Sequence, residues 1–220
     1  MKLTIPDLYD LDHTLAGDYL RQFTYPWEAL AGIGDMISAL GAALPADEYD
    51  HPEEGVWVAR DAKVYPTAYL GAPCIIGHKT EVRPGAFIRG NALVGDNCVV
   101  GNSTELKNVI LFDNVQVPHY NYVGDSILGY KSHMGAGSIT SNVKSDKLPV
   151  VIHNEGEEIE TGRKKVGAML GDCVEVGCNS VLNPGTVIGR DASVYPTSCV
   201  RGVVPERCIY KAKGNIAVKK

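Results

Sequence analysis

The densest group of side chains that could do chemistry lies in residues 117–126, which read VPHYNYVGDS, and in residues 135–142, which read GAGSITSN. His119 is the group best suited to act as a base, because an imidazole titrates at about pH 6.5 and can accept a proton at physiological pH. The glycines of the second stretch allow a ligand to approach backbone N–H groups closely, as an oxyanion requires. A lone histidine in a loop is usually an ordinary surface residue, so these residues alone leave its chemistry open.

A repeat of six residues along the chain predicts the secondary-structure elements that position these side chains. An apolar residue recurs at every sixth position, in phase from Val58 to Phe112 and again from Leu170 to Val200. Neither a helix nor an ordinary strand has that period. The position four residues after the apolar one is usually small, as at Ala62, Ala68, Cys74, Thr80, Ala86, Ala92, Cys98 and Thr104.

A triangular solenoid explains this pattern, because each hexapeptide makes one flat side and one tight corner. Three hexapeptides close one coil, so residues 18 apart stack at the β spacing of about 4.8 Å. The sequence therefore predicts an all-β solenoid, a left-handed parallel β-helix of hexapeptide repeats with a short N-terminal helical extension.

The same geometry brings two cations together. Arg89 and Lys107 are 18 residues apart, so they are predicted to stack on one face in successive coils. Adjacent cations suit a phosphate group, the arginine through a fork of donors and the lysine as a point charge. Two solvated charges are the alternative, and Arg83, in an R-P-G motif, is a rival for the arginine role.

Three domains are predicted: residues 1–50 form the helical extension, 51–210 the β-helix, and 211–220 a basic C-terminal tail. Residues 113–133 break the repeat and are predicted to be irregular, with a hexapeptide pattern resuming at 123–128. Residues 141–166 are polar and rich in turn formers, which predicts a loop or hairpin that projects from the solenoid. Insertions in a solenoid gather on one face, often the binding face.

The N-terminal extension is predicted to be helical. After Pro26, apolar residues at three- and four-residue spacing, Leu30 to Leu44, predict an amphipathic helix of about four turns. Leu8, Leu11 and Leu15 suggest a shorter, earlier helix. We expect these helices to cap the solenoid or pack against it, because an uncovered end of a β-helix is an unpaired edge.

Composition excludes several classes of protein. The 220 residues carry a formal net charge of −5, which gives no general attraction to nucleic acid or to an anionic membrane. No apolar run approaches the roughly 20 residues that span a bilayer. The six cysteines form no C-x-x-C pair and the first residues lack a signal peptide, so we expect a reduced, cytoplasmic protein.

Two motifs carry a family resemblance. H-x-x-Y-x-G-D-S at 119–126 and G-A-G-x-I-T-x-N at 135–142 resemble the acetyltransferase domain of the bifunctional glucosamine-1-phosphate N-acetyltransferase / N-acetylglucosamine-1-phosphate uridylyltransferase. The chain is more similar still to sugar-1-phosphate nucleotidylyltransferases that carry the polar insertion and a G-R-K-K-x-G-A return, here residues 162–168. The resemblance covers residues 56–205. The nucleotide-binding half is not found, because no G-x-G-T-R loop occurs and residues 1–50 are too short to hold it.

The resemblance implies an enzyme, a cytoplasmic homotrimeric acyltransferase that moves an acetyl group from acetyl-CoA to a hexosamine-1-phosphate without a metal. Glucosamine-1-phosphate, in UDP-N-acetylglucosamine synthesis, is the first expected substrate. His119 falls at the position of the catalytic base. The positions of substrate contacts fall on Arg89, Glu105, Lys107, Tyr122, His133 and Asn142. The positions of coenzyme A contacts fall on Ala136, Asn142, Ala168, Cys178 and Lys213, with Lys211 as the alternative lysine.

The chain departs from the familiar motifs at two places. His133 stands where asparagine is usual, which leaves the identity of the sugar open. Residues 142–145 read N-V-K-S instead of N-Y-D-G, which suggests that loop residues such as Lys147 contribute contacts instead.

Other functions fit the same fold. A γ-class carbonic anhydrase uses this solenoid with zinc-binding histidines, but needs a close pair such as H-x4-H, which the sequence lacks. A non-catalytic trimeric module could bind sugar nucleotides or serve as scaffold for a separate nucleotidylyltransferase. An acyl carrier protein donor and an O-acyl acceptor also stay open.

Overall fold

The computed structural model describes residues 1–219 and is a left-handed parallel β-helix with a helical extension at its N-terminus. The predicted fold class is thereby confirmed. Three α-helices, α1 (Ile5–Leu8), α2 (Gly17–Leu20) and α3 (Ile33–Ala43), and two 3₁₀ helices, Leu11–His13 and Pro26–Ala31, form the extension. The strands are β1 (Tyr49–Glu53), β2 (Val56–Ala59), β3 (Lys63–Val64), β4 (Tyr69–Leu70), β5 (Cys74–Ile76), β6 (Glu81–Val82), β7 (Phe87–Ile88), β8 (Ala92–Val94), β9 (Val99–Asn102), β10 (Glu105–Leu111), β11 (Gln116–His119), β12 (Tyr122–Leu128), β13 (His133–Met134), β14 (Ile139–Thr140), β15 (Val151–Asn154), β16 (Glu157–Glu160), β17 (Ala168–Leu170), β18 (Glu175–Val176), β19 (Val181–Leu182), β20 (Thr186–Ile188), β21 (Ser193–Val194), β22 (Cys199–Val200), β23 (Val203–Val204), β24 (Cys208–Ala212) and β25 (Asn215–Val218).

The coils present three flat sides. Side A contains β2, β5, β8, the second half of β10 and of β12, and then β17, β20 and β23. Side B contains β3, β6, β9, β11, β13, β18, β21 and β24. Side C contains β4, β7, the first half of β10 and of β12, and then β14, β19 and β22. Strands β10 and β12 run through the corner between sides C and A, so these two sides form one continuous sheet.

The interior is a stack of aliphatic side chains, as the repeat predicts. On side A, Ile76, Val94 and Leu111 stack in register and are fully buried. Leu111 takes the position predicted for Phe112, because the coil between Val94 and Leu111 has 17 residues instead of 18. The ring of Phe112 packs instead against Tyr9 of the extension, with 5.2 Å between ring centroids.

The shortened coils explain the apparent break in the repeat. Strand β11 pairs in parallel with both β9 and β13, and β12, a continuous strand of seven residues, pairs with β10. The prediction that residues 113–133 are irregular was therefore wrong. The loss of one residue per coil shifts the phase of the pattern without interrupting the solenoid.

The extension covers side A of the solenoid. The outward residues of this side are apolar and fully buried, including Ile75, Leu93, Ile110, Ile127 and Met169. Helix α3 contacts β5, β8 and β10, and the second 3₁₀ helix contacts β12. The extension therefore packs along the solenoid, which confirms one of the two predicted arrangements.

The predicted helix after Pro26 is two segments. A 3₁₀ helix ends at Ala31, and α3 begins at Ile33 after Gly32. The phenol of Tyr19 donates to the carbonyl of Ala29 at 2.6 Å, and a Cβ at residue 32 would lie 2.6 Å from the same phenol oxygen. A side chain at position 32 would therefore clash with the phenol of Tyr19.

The insertion leaves the solenoid at the corner between sides C and A. The two ends of the insertion are held together by the β-bridge of Val143 to Lys165. The N–H of Val166 also donates to the carbonyl of Asn142 at 3.0 Å. Strands β15 and β16 form the predicted hairpin. The hairpin does not project from the solenoid as predicted but lies against the coils, because β15 contacts β23 and both Val150 and Ile152 are buried.

The basic tail also has regular structure, since β25 pairs antiparallel with β24. Lys220, the last residue of the predicted tail, lies outside the described residues. Among residues 1–219, none of the helices combines the length and the apolar character needed to cross a bilayer.

Candidate active site

His119 ends β11 at the corner between sides B and C, which we call the B/C edge. The turn after it is fixed by Tyr120, with φ of +52°, and by the buried amide of Asn121. Asn121 accepts from the N–H of His119 at 3.1 Å and donates to the carbonyls of Gly135 (2.9 Å) and Ser138 (3.0 Å). The imidazole is exposed and forms no hydrogen bond with any residue that the structure describes, 1–219. Its nitrogens are therefore free to exchange a proton with a ligand.

Two predicted coenzyme A contacts lie in line with His119. The N–H of Gly137 donates to the carbonyl of His119 at 3.0 Å, and the N–H of Asn179 donates to the carbonyl of Ala136 at 2.8 Å. Successive coils thus place Ala136 and Cys178 below His119 along the B/C edge. Cys178 is exposed and Ala136 is half-buried, so both are accessible.

The C-terminal lysines lie at the far end of this edge. The ammonium of Lys211 lies 5.9 Å from the centre of the Tyr195 ring, and Tyr195 is in the corner turn of the B/C edge. Lys213 follows in the exposed turn between β24 and β25. A ligand that runs along the edge from His119 would reach these cations last.

Side C carries Tyr122, the first residue of β12. Its outward neighbours in the adjacent coils are Glu105 on β10 and Ile139 on β14, and the column continues through Val181 and Cys199. The side is therefore polar around Tyr122 and apolar below it.

A buried carboxylate joins the predicted substrate residues at the corner between sides C and A, the C/A edge. Asp125 is 2% exposed and accepts from Nζ of Lys107 at 3.0 and 3.2 Å. It also accepts from the side-chain amides of Asn108 (3.0 Å) and Asn142 (2.6 Å). Asn142 lies 3.2 Å from the phenol oxygen of Tyr122. One lysine and two amides thus satisfy a carboxylate that burial alone would destabilise.

Arg89 lies beside Lys107 but faces a different carboxylate. The N–H of Arg89 donates to the carbonyl of Leu106 at 2.9 Å, which places the two cations in adjacent coils as the spacing predicts. The guanidinium forms a 2.8 Å salt bridge with Glu105. Both side chains are partly exposed, so solvent screens this pair.

The environment of Tyr122 is acidic. Burial raises the pKa of its phenol, and the negative charges of Asp125 and Glu105 raise it further, while Asn142 and Arg89 act in the opposite direction. The phenol of Tyr122 is therefore protonated at neutral pH and can donate a hydrogen bond to a ligand.

Two predicted contacts lie elsewhere. His133 is on side B, with Nδ1 2.8 Å from Oε2 of Glu175, in a cleft of about 340 Å³ shared with Lys131. Ala168 begins β17 on side A and is fully buried, with its N–H donating to the hydroxyl of Ser126 at 2.9 Å. In the single chain its side chain offers no surface to coenzyme A. Arg83, the rival arginine, pairs with Glu81 at 3.0 Å.

The central role of Asp125 and Asn108 is not part of the sequence prediction. Asp125 stands three residues after Tyr122 and 18 residues after Lys107, and this spacing was a signal that the two could be neighbours. Asn108 could not be found by a spacing of 18, because it lies 17 residues before Asp125 in a shortened coil.

The fold and the polar side chains of side C define the class of hexapeptide-repeat β-helix proteins. The chain belongs to the GMPPB C-terminal domain family, whose model matches residues 70–212. It is 31% identical to the bifunctional protein GlmU of Methanococcus maripaludis over 208 residues, 92% of this chain and 50% of the relative. It is 32% identical to a bifunctional sugar-1-phosphate nucleotidylyltransferase/acetyltransferase of Sulfurisphaera tokodaii over 145 residues, 66% of this chain and 36% of the relative.

The chain thus spans about half, or less, of the length of these curated relatives. Among solved structures, a mutant of perosamine N-acetyltransferase from Caulobacter crescentus, in complex with CoA and GDP-perosamine, aligns with 75% of this chain and 56% of its own. The identity is 16% and the TM-score 0.37. A TM-score that low supports no functional inference.

Proposed function

We propose that this chain is an acetyl-CoA-dependent N-acetyltransferase whose acceptor is an amino sugar with phosphate at C1. A hexosamine-1-phosphate, with glucosamine-1-phosphate first, is the simplest such acceptor. The observation that carries the proposal is the connected group of Tyr122, Asn142, Asp125 and Lys107 on one face, with the unpaired imidazole of His119 at the adjacent edge. Membership of a family whose relatives include named sugar-1-phosphate acetyltransferases supports the same reaction.

His119 acts as the general base in the proposed reaction. The sugar ammonium first loses one proton to solvent, and the free amine then attacks the thioester carbonyl while the imidazole accepts the second proton. A backbone N–H near Ala136 or Gly137 stabilises the oxyanion of the tetrahedral intermediate. Cleavage of the carbon–sulfur bond releases the thiolate of coenzyme A, which takes a proton from the imidazolium and restores the base.

The substrate phosphate is held by Arg89 and Lys107. Arg89 is exposed enough to turn from Glu105 toward a phosphate, and Glu105 can then accept from a sugar hydroxyl. Lys107 stays fixed by Asp125 and contributes a positive charge at a defined position. Tyr122 and Asn142 supply hydrogen bonds to the sugar, and His133 would reach it only from a neighbouring chain.

Coenzyme A runs along the B/C edge. Its apolar pantetheine arm fits the strip of Ile139, Val181 and Cys199, and its phosphates reach Lys213 or Lys211 at the end of the solenoid. The other wall of this groove comes from a second chain of a homotrimer. Sedimentation equilibrium would contradict this assembly if it gave a stable species of 23.7 kDa.

A thiol-release screen tests the proposed reaction. Acetyl-CoA is supplied with glucosamine-1-phosphate, galactosamine-1-phosphate or free glucosamine, and the released thiol is measured. We expect turnover with at least one hexosamine phosphate and far less with free glucosamine. No thiol release with any hexosamine phosphate would overturn the proposal.

The two salt bridges favour one second candidate, a module that binds without acetyl transfer. Arg89 is paired with Glu105 at an exposed position and Lys107 is fixed by Asp125, so a phosphate can be recognised by exchange of the Arg89 pair alone, without any chemistry. Such a module would bind a sugar nucleotide, and could serve as scaffold for a separate nucleotidylyltransferase, while releasing no thiol in the screen.

A further inference from the structure

A second polar cleft lies at the C/A edge, between the solenoid, the N-terminal extension and the return of the insertion. Its volume is about 490 Å³. We call it the return cleft, after the G-R-K-K sequence at 162–165 that forms one wall. Its lining residues are Leu30, Ala31, Asn91, Lys107, Asn108, Asp125, Gly162, Arg163, Lys164 and Lys165.

The charges of the return cleft are unbalanced. Four cations line it, and the carboxylate of Asp125 is the one acidic group among the lining residues. Lys107 is paired with this carboxylate. Within residues 1–219, Arg163, Lys164 and Lys165 have no carboxylate within 4 Å, and Nε of Arg163 is buried without a hydrogen-bond partner. Such an excess of positive charge in a chain of net charge −5 indicates an anionic ligand.

The wall that carries these cations is held in place. The β-bridge of Val143 to Lys165 holds the two ends of the insertion together, and the carbonyl of Arg163 accepts from the N–H of Val150 at 2.8 Å. On the opposite wall, Nδ2 of Asn108 donates to the carbonyl of Leu30 at 3.1 Å. Both walls are therefore preformed, which lowers the entropic cost of binding.

The size of the cleft exceeds what one phosphate needs. A volume of several hundred Å³ is typical of sites for nucleotide-sized ligands. Lys107 also belongs to the proposed sugar-phosphate site, and Arg163 and Lys164 line the same cleft. A ligand with two linked phosphates could contact Lys107 with one phosphate and Arg163 or Lys164 with the other.

We propose that the return cleft binds the diphosphate group of a nucleotide, and that the acceptor class therefore extends to amino sugars linked to a nucleoside diphosphate. The second part rests on the proposed function, whereas the first part does not. Coenzyme A also contains a diphosphate, so the experiment has to distinguish the two sources.

Isothermal titration with inorganic phosphate, inorganic pyrophosphate and UDP tests the cleft without any acetyl transfer. We expect pyrophosphate and UDP to bind more tightly than phosphate, with affinities that fall as salt is raised from about 20 to about 200 mM. Lys164→Ala, at an exposed position, should weaken UDP binding roughly fivefold to tenfold. Arg163→Lys should retain part of the affinity, because it keeps the charge but loses the fork of donors.

Two control variants make the result specific. Lys2→Ala removes an exposed cation of the extension outside the return cleft and should leave UDP binding unchanged. His119→Ala should bind UDP like the wild type, so a failure of the proposed acetyl transfer is distinguishable from a failure of the cleft.

Three outcomes decide the proposal. Equal affinity for phosphate and pyrophosphate, or UDP binding that Lys164→Ala does not change, would overturn it. Saturating coenzyme A that displaces UDP from the wild type would overturn the acceptor assignment and give the coenzyme as the source of the diphosphate. UDP that stays bound under saturating coenzyme A would support a nucleotide-linked acceptor.

Discussion

The ammonium of Lys107 donates to both carboxylate oxygens of Asp125, at 3.0 and 3.2 Å, from the next coil of the solenoid. The carboxylate is almost completely buried, while the lysine is 28% exposed. The carboxylate end of the pair is therefore fixed by the protein, and the ammonium end is open to solvent. Asp125 is in this way a positioning residue for the cation and for the amide of Asn142.

Replacement of Asp125 by asparagine keeps the shape and the φ of +48°, which asparagine tolerates, but removes the charge. Lys107 then loses its partner, so we expect a loss of about 1–3 kcal/mol in the free energy of unfolding. Urea denaturation measures this value. A variant as stable as the wild type would show that Asp125 does not hold the site together.

Replacement of Arg89 or Lys107 by alanine should raise KM for the sugar phosphate far more than KM for acetyl-CoA. Loss of one charge-assisted contact should cost about 1.5–3 kcal/mol in transition-state binding. Steady-state kinetics with both substrates varied measures the effect. Unchanged KM values for the sugar phosphate in both variants would remove these cations from the site.

Leu93→Ala tests whether the extension covers side A. Leu93 points away from the solenoid core but is fully buried beneath α3, so truncation should cost about 2–5 kcal/mol. The outward residue Gln116 on side B is exposed, and Gln116→Ala should change stability by less than about 0.5 kcal/mol. Similar losses in both variants would argue that side A is no more covered than side B.

The stability of the fold should fall at alkaline pH. Burial, together with the charges of Asp96, Glu48 and other carboxylates, raises the pKa of Tyr49 to about 12. The contribution of this phenol is fully present below its unfolded pKa of about 10 and is lost as pH rises through about 12. Tyr49→Phe should make the decline in that window shallower, as judged by urea unfolding at several pH values. Tyr69→Phe, at an exposed position, should keep the wild-type slope.

The solenoid could be predicted because its signal is repeated in every coil. The 17-residue coils were hidden, because Leu111 and Phe112 are adjacent apolar residues and either fits the pattern of six. A coil that is one corner residue shorter has the same kinds of residues as a full coil, so composition does not reveal it. The segment around Pro118 therefore looked irregular, although β11 continues side B there.

The covered side A has a signal of its own in the sequence, beside the repeat of six. At Ile75, Leu93, Ile110 and Ile127 the outward position is as apolar as the inward one, and an exposed side would not be. These pairs of apolar residues indicate a second layer on side A. At Gly32, where the predicted helix is divided, a side chain would meet the phenol of Tyr19, and this tertiary contact is not visible in the local pattern.

Lys107, Tyr122 and Asn142 could be grouped from the sequence, but Asp125 and Asn108 were missed, and the arrangement of the group was not predicted. The pairing of Arg89 with Glu105 and of Lys107 with Asp125 depends on side-chain directions at a corner, which spacing does not determine. Ala168 is buried for another reason: Met169 is the outward residue of β17, so the side chain of Ala168 points into the solenoid.

The central claim, that His119 removes a proton from the acceptor amine, is tested most directly by thiol release across pH in His119→Ala and the wild type. His153→Ala, at an exposed histidine of the insertion hairpin, is the matched control and should behave like the wild type. We expect His119→Ala to lower kcat by roughly 10²- to 10⁴-fold without loss of thermal stability, because its side chain is exposed and unpaired. Wild-type kcat should fall at acidic pH as the imidazole is protonated, and that decline should be absent in the variant. A His119→Ala enzyme that keeps wild-type kcat and wild-type pH dependence would contradict the claim.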